Sequence, residues 1–240
     1  MNGPTHHAWN LTPAEARTLQ ANLAGLVERN RELDASKVQR VLAVDVSMNR
    51  FSNWLTAAAV VCELKPKRVV ETSTVVRPIT FPYVPGLLSF RELPAELEAI
   101  DRLREPYDAV VVDGHGVAHP RGLGIAAHLG LWLNRPTIGL AKTRLCGHFE
   151  EPPDKLGAMS PLTLDGQTVG MAVRTRRRAT PIFVSVGHEC RLEDAVALAL
   201  RLTDGRRIAW PIRAAHGAAN DARRAQIVFL ERLCETFRIR

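Results

Sequence analysis

Apolar and polar positions divide the chain into short runs separated by turn residues. In "LTPAEARTLQANLAGLVERN", Ala16, Leu19, Leu23, Leu26 and Val27 recur at helical spacing, while Thr12, Pro13 and Glu15 supply an N-cap, a first-turn proline and a capping box. A helix to about Asn30, packed on the core as an appendage, is predicted. "RVLAVDVSM", "LTAAAVVCEL" and "KRVVETSTVVRPI" follow, the last two divided by Lys65-Pro66-Lys67. Their β-branched content predicts three consecutive antiparallel strands.

Prolines and Gly86 forbid regular structure in "TFPYVPG". From Leu88 onward, Leu93, Leu97, Ile100 and Leu103 predict a helix interrupted at Pro94, with Glu92 near its start. The unbroken run Ala109-Val110-Val111-Val112 reads as a strand buried on both faces, as in a parallel part of a sheet. A helix over 123–133, a strand in "RPTIGLAK", a hairpin near 162–186 and a helix over 192–202 complete the reading. The order β-β-β-α-β-α-β, with further α and β behind it, is that of an α/β protein. No repeat or linker divides it, so one domain is expected over 1–240.

Composition changes this picture little, and charge changes it more. A chain of 240 residues with 46% apolar and 24% charged residues is ordinary for a soluble globular protein. The formal charge of +7 favours a polyanionic partner. The run Arg174-Thr175-Arg176-Arg177-Arg178 adds to it, or is a solvated hairpin turn between the apolar stretches 169–173 and 182–186. Cys62, Cys146, Cys190 and Cys234 form no C-x-x-C pair, and the start "MNGPTHHAWN" is polar, which together predict a reducing, cytoplasmic chain. No apolar run approaches the length of a membrane span.

Two apolar strands end in carboxylates, Asp45 and Asp113. A βββαβ order can set the first strand beside the fourth, and ligands of open α/β sheets bind at the carboxyl ends of strands. Two carboxylates brought together there repel one another and invite a divalent cation held by oxygen. Glu92 offers a third oxygen or is a surface charge beside Arg91. Hard ligands of this kind point to Mg²⁺ or Mn²⁺, not to structural zinc. Taken singly, Asp113 also reads as a capping residue, Lys142 as a solvated loop lysine, and His115, His119 and His216 as structural histidines.

The blocks "LAVDVS", "FPYVPGLLSFRE", "VVVDGHGVAHPRGLGIAAHLG", "PTIGLAKTRLCG" and "FVSVGH", in that order, resemble the endonuclease V family. The likeness runs from about Val41 to Arg224, leaving 1–36 as an N-terminal helical extension to a catalytic core at 41–224. It implies a ribonuclease H-like fold with a central mixed β-sheet flanked by helices. It also implies a Mg²⁺-dependent hydrolase, with Mn²⁺ as substitute, acting on DNA that contains deoxyinosine. Such an enzyme cuts the second phosphodiester bond on the 3′ side and leaves 3′-hydroxyl and 5′-phosphate ends.

By motif, the resemblance makes Asp45, Glu92 and Asp113 the metal-binding carboxylates, with His216 joining the metal shell or helping to bind a second ion. Lys142 would neutralise a phosphate oxygen, with His119 and Arg121 bonding phosphate or the metal shell. Tyr83, stiffened by Pro82 and Pro85, would be the wedge that fills the gap left by an extruded base. Gly86, Leu88, Gly114, Ile125 and Leu145 would line the hypoxanthine pocket, the glycines offering backbone N–H and C=O groups to the base. A monomer is expected. Two rivals remain: an endoribonuclease of the same fold acting on inosine in RNA, and a non-catalytic nucleic-acid binder, against which the clustered negative charge argues.

Overall fold

The computed structural model describes residues 6–49 and 52–238, and side chains as far as residue 226. Eight strands form one sheet: β1 (Arg40–Met48), β2 (Trp54–Leu64), β3 (Lys67–Pro78), β4 (Ala109–Val112), β5 (Thr137–Ala141), β6 (Met159–Leu164), β7 (Gln167–Val173) and β8 (Ile182–His188). Their spatial order is β3-β2-β1-β4-β5-β8-β7-β6. The pairs β1–β4 and β4–β5 are parallel and every other pair is antiparallel. This is the mixed sheet that the order of elements implies.

Both faces of the central strands are covered, which is why their sequences run apolar without alternation. Val41 and Ala43 of β1 pack with Val111 of β4 and with Ile212 and Ala215 of α5 (Trp210–Arg238). Leu42 and Val44 point the other way, to Leu93, Leu97 and Ile100 of α2 (Leu88–Asp101) and Leu129 of α3 (Ile125–Leu133). The helix α4 (Leu192–Arg201) packs beside β8 through Ala195, Leu198 and Ala199.

Three elements depart from the sequence reading. The first helix, α1, is Pro13–Ala24, closed by Gly25 well before Asn30. Beyond it the Glu28 amide donates to His188 Nδ1, and Leu26 stands in solvent, off the stripe assigned to it. Pro94 does not interrupt α2, which is helical through to Asp101. An interior proline costs about 3 kcal/mol, and burial of Leu93, Leu97 and Ile100 against the sheet offsets it. The hairpin near 162–186 is in fact two hairpins sharing β7. Asp165 and Gly166, both at positive φ, make the tight turn between β6 and β7 that the reading passed over.

Candidate active site

Strand register builds the carboxylate edge. Asp45 lies on the face of β1 that carries Val41 and Ala43, and Asp113 follows Val111 on the same face of β4. The parallel pairing of Val44 with Val112 makes Asp45 and Asp113 the next lateral neighbours, at a strand spacing of about 4.8 Å. Both carboxylates are largely buried. Burial first and the charge of Asp113 second raise the pKa of Asp45, and a hydrogen bond from His216 partly opposes this. Glu92, one turn into α2, has its pKa pushed up to about 8 by burial and then by the charges of Asp45 and Asp113, against the nearby Arg91.

Two nitrogen-bearing side chains, Lys142 and His216, already lean on this cluster. Lys142, the first residue after β5, places its Nζ on Asp113 Oδ2. His216 of α5 sets Nδ1 2.6 Å from Asp45 Oδ2. As the side chains stand, no three His, Cys, Asp or Glu groups among the described residues converge closely enough to hold an ion between them. The chemistry of the donor set nonetheless fits a hard divalent cation. Asp113 raises the pKa of Asp45, and both carboxylates raise that of Glu92, so positive charge placed among the three groups relieves a repulsion that the protein itself does not.

Sequence reasoning missed a fourth carboxyl. Glu96, one turn below Glu92 on α2, is almost wholly buried, and its Oε2 has no hydrogen-bond partner. Burial and then the charges of Glu92, Asp45 and Asp113 hold its pKa far above the ordinary carboxyl value. A Glu on an amphipathic helix gives no signal of this. Only its i,i+4 spacing from Glu92 could have drawn notice.

Beside the carboxylates lies a cavity of about 320 Å³, and Gly86, Leu88, Gly114, Ile125 and Leu145 all line it. Tyr83 stands at its rim, 71% exposed, with Leu88 and Leu145 also open to solvent at 38% and 45%. The loop bearing Tyr83 is anchored at its ends by buried Phe81 and Leu87, which pack with Phe90 and Ala16. Arg91 also donates to the Phe81 carbonyl at 2.8 Å. Pro82 is exposed beside Tyr83, and it is Pro85 that reaches the cavity wall.

Gly86 adopts φ of 78°, and a Cβ there would lie 2.6 Å from the Arg121 guanidinium. Its carbonyl accepts from Gln20 Nε2 at 2.9 Å, Arg121 Nη2 at 2.8 Å and His119 Nε2 at 3.1 Å. That carbonyl is therefore fully engaged inside the protein and is not free for a base, contrary to the expectation from sequence. His119 accepts from the Arg121 amide at Nδ1, so Nε2 carries the proton. Burial first and Arg121 second lower its pKa to about 4. His119 and Arg121 thus sit as neutral and cationic tethers of the Tyr83 loop, away from the carboxylates.

Gln20 was not singled out in the sequence. Reaching from α1, it also donates to the Leu123 carbonyl at 2.6 Å and accepts from Arg121 Nε at 2.5 Å. The first helix is therefore part of the pocket's frame as well as an appendage on the core. His115 lines the pocket with Nε2 2.9 Å from the Thr143 carbonyl. His128 bridges Ser89 and His7, its ring buried.

A sheet edge carrying paired carboxylates, a lysine and an adjacent pocket defines a metal-fitted hydrolytic site of the nucleic-acid-processing type. The chain belongs to the endonuclease V family, whose profile matches residues 21–217, and it is accordingly a nuclease. It is 47% identical over 223 residues to endonuclease V of Gloeobacter violaceus, covering 92% of this chain and 90% of that protein. The fold superposes on the crystal structure of endonuclease V from Streptomyces avermitilis with a TM-score of 0.87 at 40% identity, over 92% of this chain and 96% of that one. Endonuclease V of Ciona intestinalis, crystallised with DNA containing an inosine followed by a ribo-adenosine, matches with a TM-score of 0.75 at 26% identity, covering 88% and 98%.

Proposed function

We propose that the chain is a DNA repair endonuclease that accepts deoxyinosine in the pocket beside Tyr83 and hydrolyses the second phosphodiester bond on its 3′ side. The observation that carries this reading is the adjacency of a base-sized, glycine-floored cavity to the Asp45–Asp113–Glu92 edge. The Ciona relative's DNA, with its inosine, supports the choice of base. Tyr83, exposed on an anchored loop, stacks in the space the base vacates, and Leu88, Ile125 and Leu145 enclose the base.

Asp45, Asp113 and Glu92, with His216 beside Asp45, would hold Mg²⁺, or Mn²⁺ in its place. Bound there, the cation supplies Lewis-acid polarisation of the phosphate and a lowered pKa for the attacking water. Lys142 passes from Asp113 to a phosphate oxygen and stabilises the charge that develops there. The products carry 3′-hydroxyl and 5′-phosphate ends. Residues 41–224 form the catalytic core and 1–36 an extension whose helix braces the pocket.

The enzyme is read as a cytoplasmic monomer. The thiols of Cys62 and Cys190 are buried and unpaired, which suits a reducing compartment, and burial pushes both up to about 12. No helix among the described residues is long and apolar enough to cross a membrane. Matched DNA and RNA oligonucleotides, each with one inosine and assayed with and without Mg²⁺, test the proposal. Cleavage of the DNA at the second bond 3′ to inosine, only with metal, is expected. The ribo-adenosine beside inosine in the Ciona complex makes RNA the substrate to set against it, and preferential cutting of RNA would replace DNA in this reading.

A further inference from the structure

The loop between β7 and β8, residues 174–181, leaves the sheet at the end where β5 delivers Lys142, as the pairings of Ala141 with Phe183 and Val173 with Ile182 require. Its shoulders are fixed. Buried Arg174 donates to the Glu151 carboxylate at 2.7 Å, the Pro152 carbonyl at 2.6 Å and the Ala179 carbonyl across the loop. Thr175 Oγ1 donates to the Arg207 carbonyl at 2.7 Å, and Arg207 donates to the carbonyls of Thr180, Pro181 and Lys142. The loop is thus bolted to the backbone of Lys142.

Between these anchors Arg176, Arg177 and Arg178 stand exposed, as does Arg206 beside Arg207. None of the four guanidinium groups has an ion pair or hydrogen bond among the described residues. Several arginines elsewhere carry an acid, Arg40 with Glu105, Arg68 with Glu63, Arg102 with Glu98 and Arg213 with Asp204, whereas the loop sets three without one side by side. The acids nearest the loop are already engaged. Glu151 holds Arg174, Asp204 is shared by Lys67 and Arg213, and Asp154 accepts from the Arg178 backbone amide at 2.6 Å. Four uncompensated cations on a rigid mount at the carboxylate end of the sheet are complementary to a continuous polyanion.

We propose that Arg176, Arg177, Arg178 and Arg206 form a platform for the sugar–phosphate backbone of duplex DNA flanking the cleaved segment. The assignment rests on the reading of the chain as a DNA endonuclease and extends it to a surface beyond the pocket and the carboxylates. Phosphate contacts position a duplex without reading its sequence. The platform therefore adds affinity to damaged and undamaged duplexes alike, and leaves discrimination to the pocket.

The test is the dissociation constant of the full chain, measured in chelator across a salt series, on long duplexes with and without inosine and on a single-stranded heptamer centred on inosine. Arg176→Ala/Arg177→Ala/Arg178→Ala is compared with wild type and with a charge-matched control, Arg29→Ala/Arg104→Ala/Arg135→Ala, at the opposite end of the sheet. For both duplexes the loop variant is expected to bind at least about tenfold more weakly, with a log–log salt slope shallower by roughly two to three, close to one per phosphate lost. The heptamer and the control should be unaffected. A slope unchanged on duplexes, an equal loss in the control, or an equal loss on the heptamer would each overturn the platform. Failure of wild type to prefer inosine-containing DNA would instead sink the proposed function, while the effect on undamaged duplex would still report on the loop.

Discussion

The carboxylate edge and the base pocket lie side by side but are built in opposite ways. Asp45 and Asp113 are placed by two adjacent strands whose register admits no slip without turning the core outward. The pocket is placed by loops, and its shape depends on bonds from distant parts of the chain, Gln20 to Leu123 and three donors to the Gly86 carbonyl. Chemistry is fixed by the sheet, and selectivity is held by tethers. Substitutions in the two regions should therefore fail in different ways.

The sharpest separation comes from Asp113→Asn and Asp45→Asn. Each leaves the strand intact and replaces a charged oxygen ligand by an amide, so cleavage should fall by more than about a hundredfold, the upper range for groups that merely support a metal ligand. Binding of inosine-containing DNA in chelator should persist. Loss of binding and cleavage together would erase the distinction between edge and pocket. On the pocket side, Tyr83→Ala should cost about 1–3 kcal/mol of stacking, more on duplex than on single-stranded inosine DNA, because less unstacking is needed in the latter. Tyr83→Phe should retain most activity, and an equal deficit in the two variants would move the role from ring to hydroxyl.

A smaller effect is expected from Gln20→Leu, at the wall of the pocket and away from the carboxylates. It leaves the Leu123 carbonyl without that donor and loosens the Gly86 turn, so inosine affinity should weaken about tenfold, the scale of one buried hydrogen bond. Turnover at saturating DNA should hold, and a fall in turnover alone would show that α1 braces the edge instead. The smallest effect is on stability. Because burial and neighbouring charge raise the Glu92 pKa to about 8 in the folded state, its contribution is complete below its ordinary value near 4.5. It is lost as pH climbs through about 8. The melting temperature in chelator should decline over that interval, and Glu92→Gln should flatten the decline. An unaltered profile in the variant would assign the titration to Asp45 or Glu96, whose pKa values are raised in the same direction.

This contrast also explains what could be read in the sequence. Asp113 and Lys142 each follow directly on an apolar strand, whereas Asp45, read from the sequence as a strand end, lies inside β1, which runs on to Met48; the local signal survives because register converts it directly into position. Glu92 was ambiguous between ligand and surface charge, since a helix position does not say how close a sheet edge lies. Gln20, Glu96 and Arg174 gave no warning. Their roles depend on partners 103, 4 and 23 residues away, and a polar residue on a helix or in a basic run looks the same whether it is solvated or buried. The long helix α5, which brings His216 to Asp45, likewise has no local signature that tells where along the sheet it packs.

The glycines around the pocket carry a further consequence. A Cβ on Gly139 of β5 would lie 2.5 Å from the Gly114 carbonyl and 2.7 Å from the Gly116 amide, and one on Gly114 would lie 2.4 Å from Ile125 Cγ2. The floor is close-packed, main chain against main chain at Gly139 and main chain against the Ile125 side chain at Gly114, so neither glycine has room for a larger residue. Single substitutions at these positions can obstruct the cavity but cannot regrade it. Fitting the cavity to a different base therefore falls to the side chains that line it, Leu88, Ile125 and Leu145 together with Tyr83 and His115.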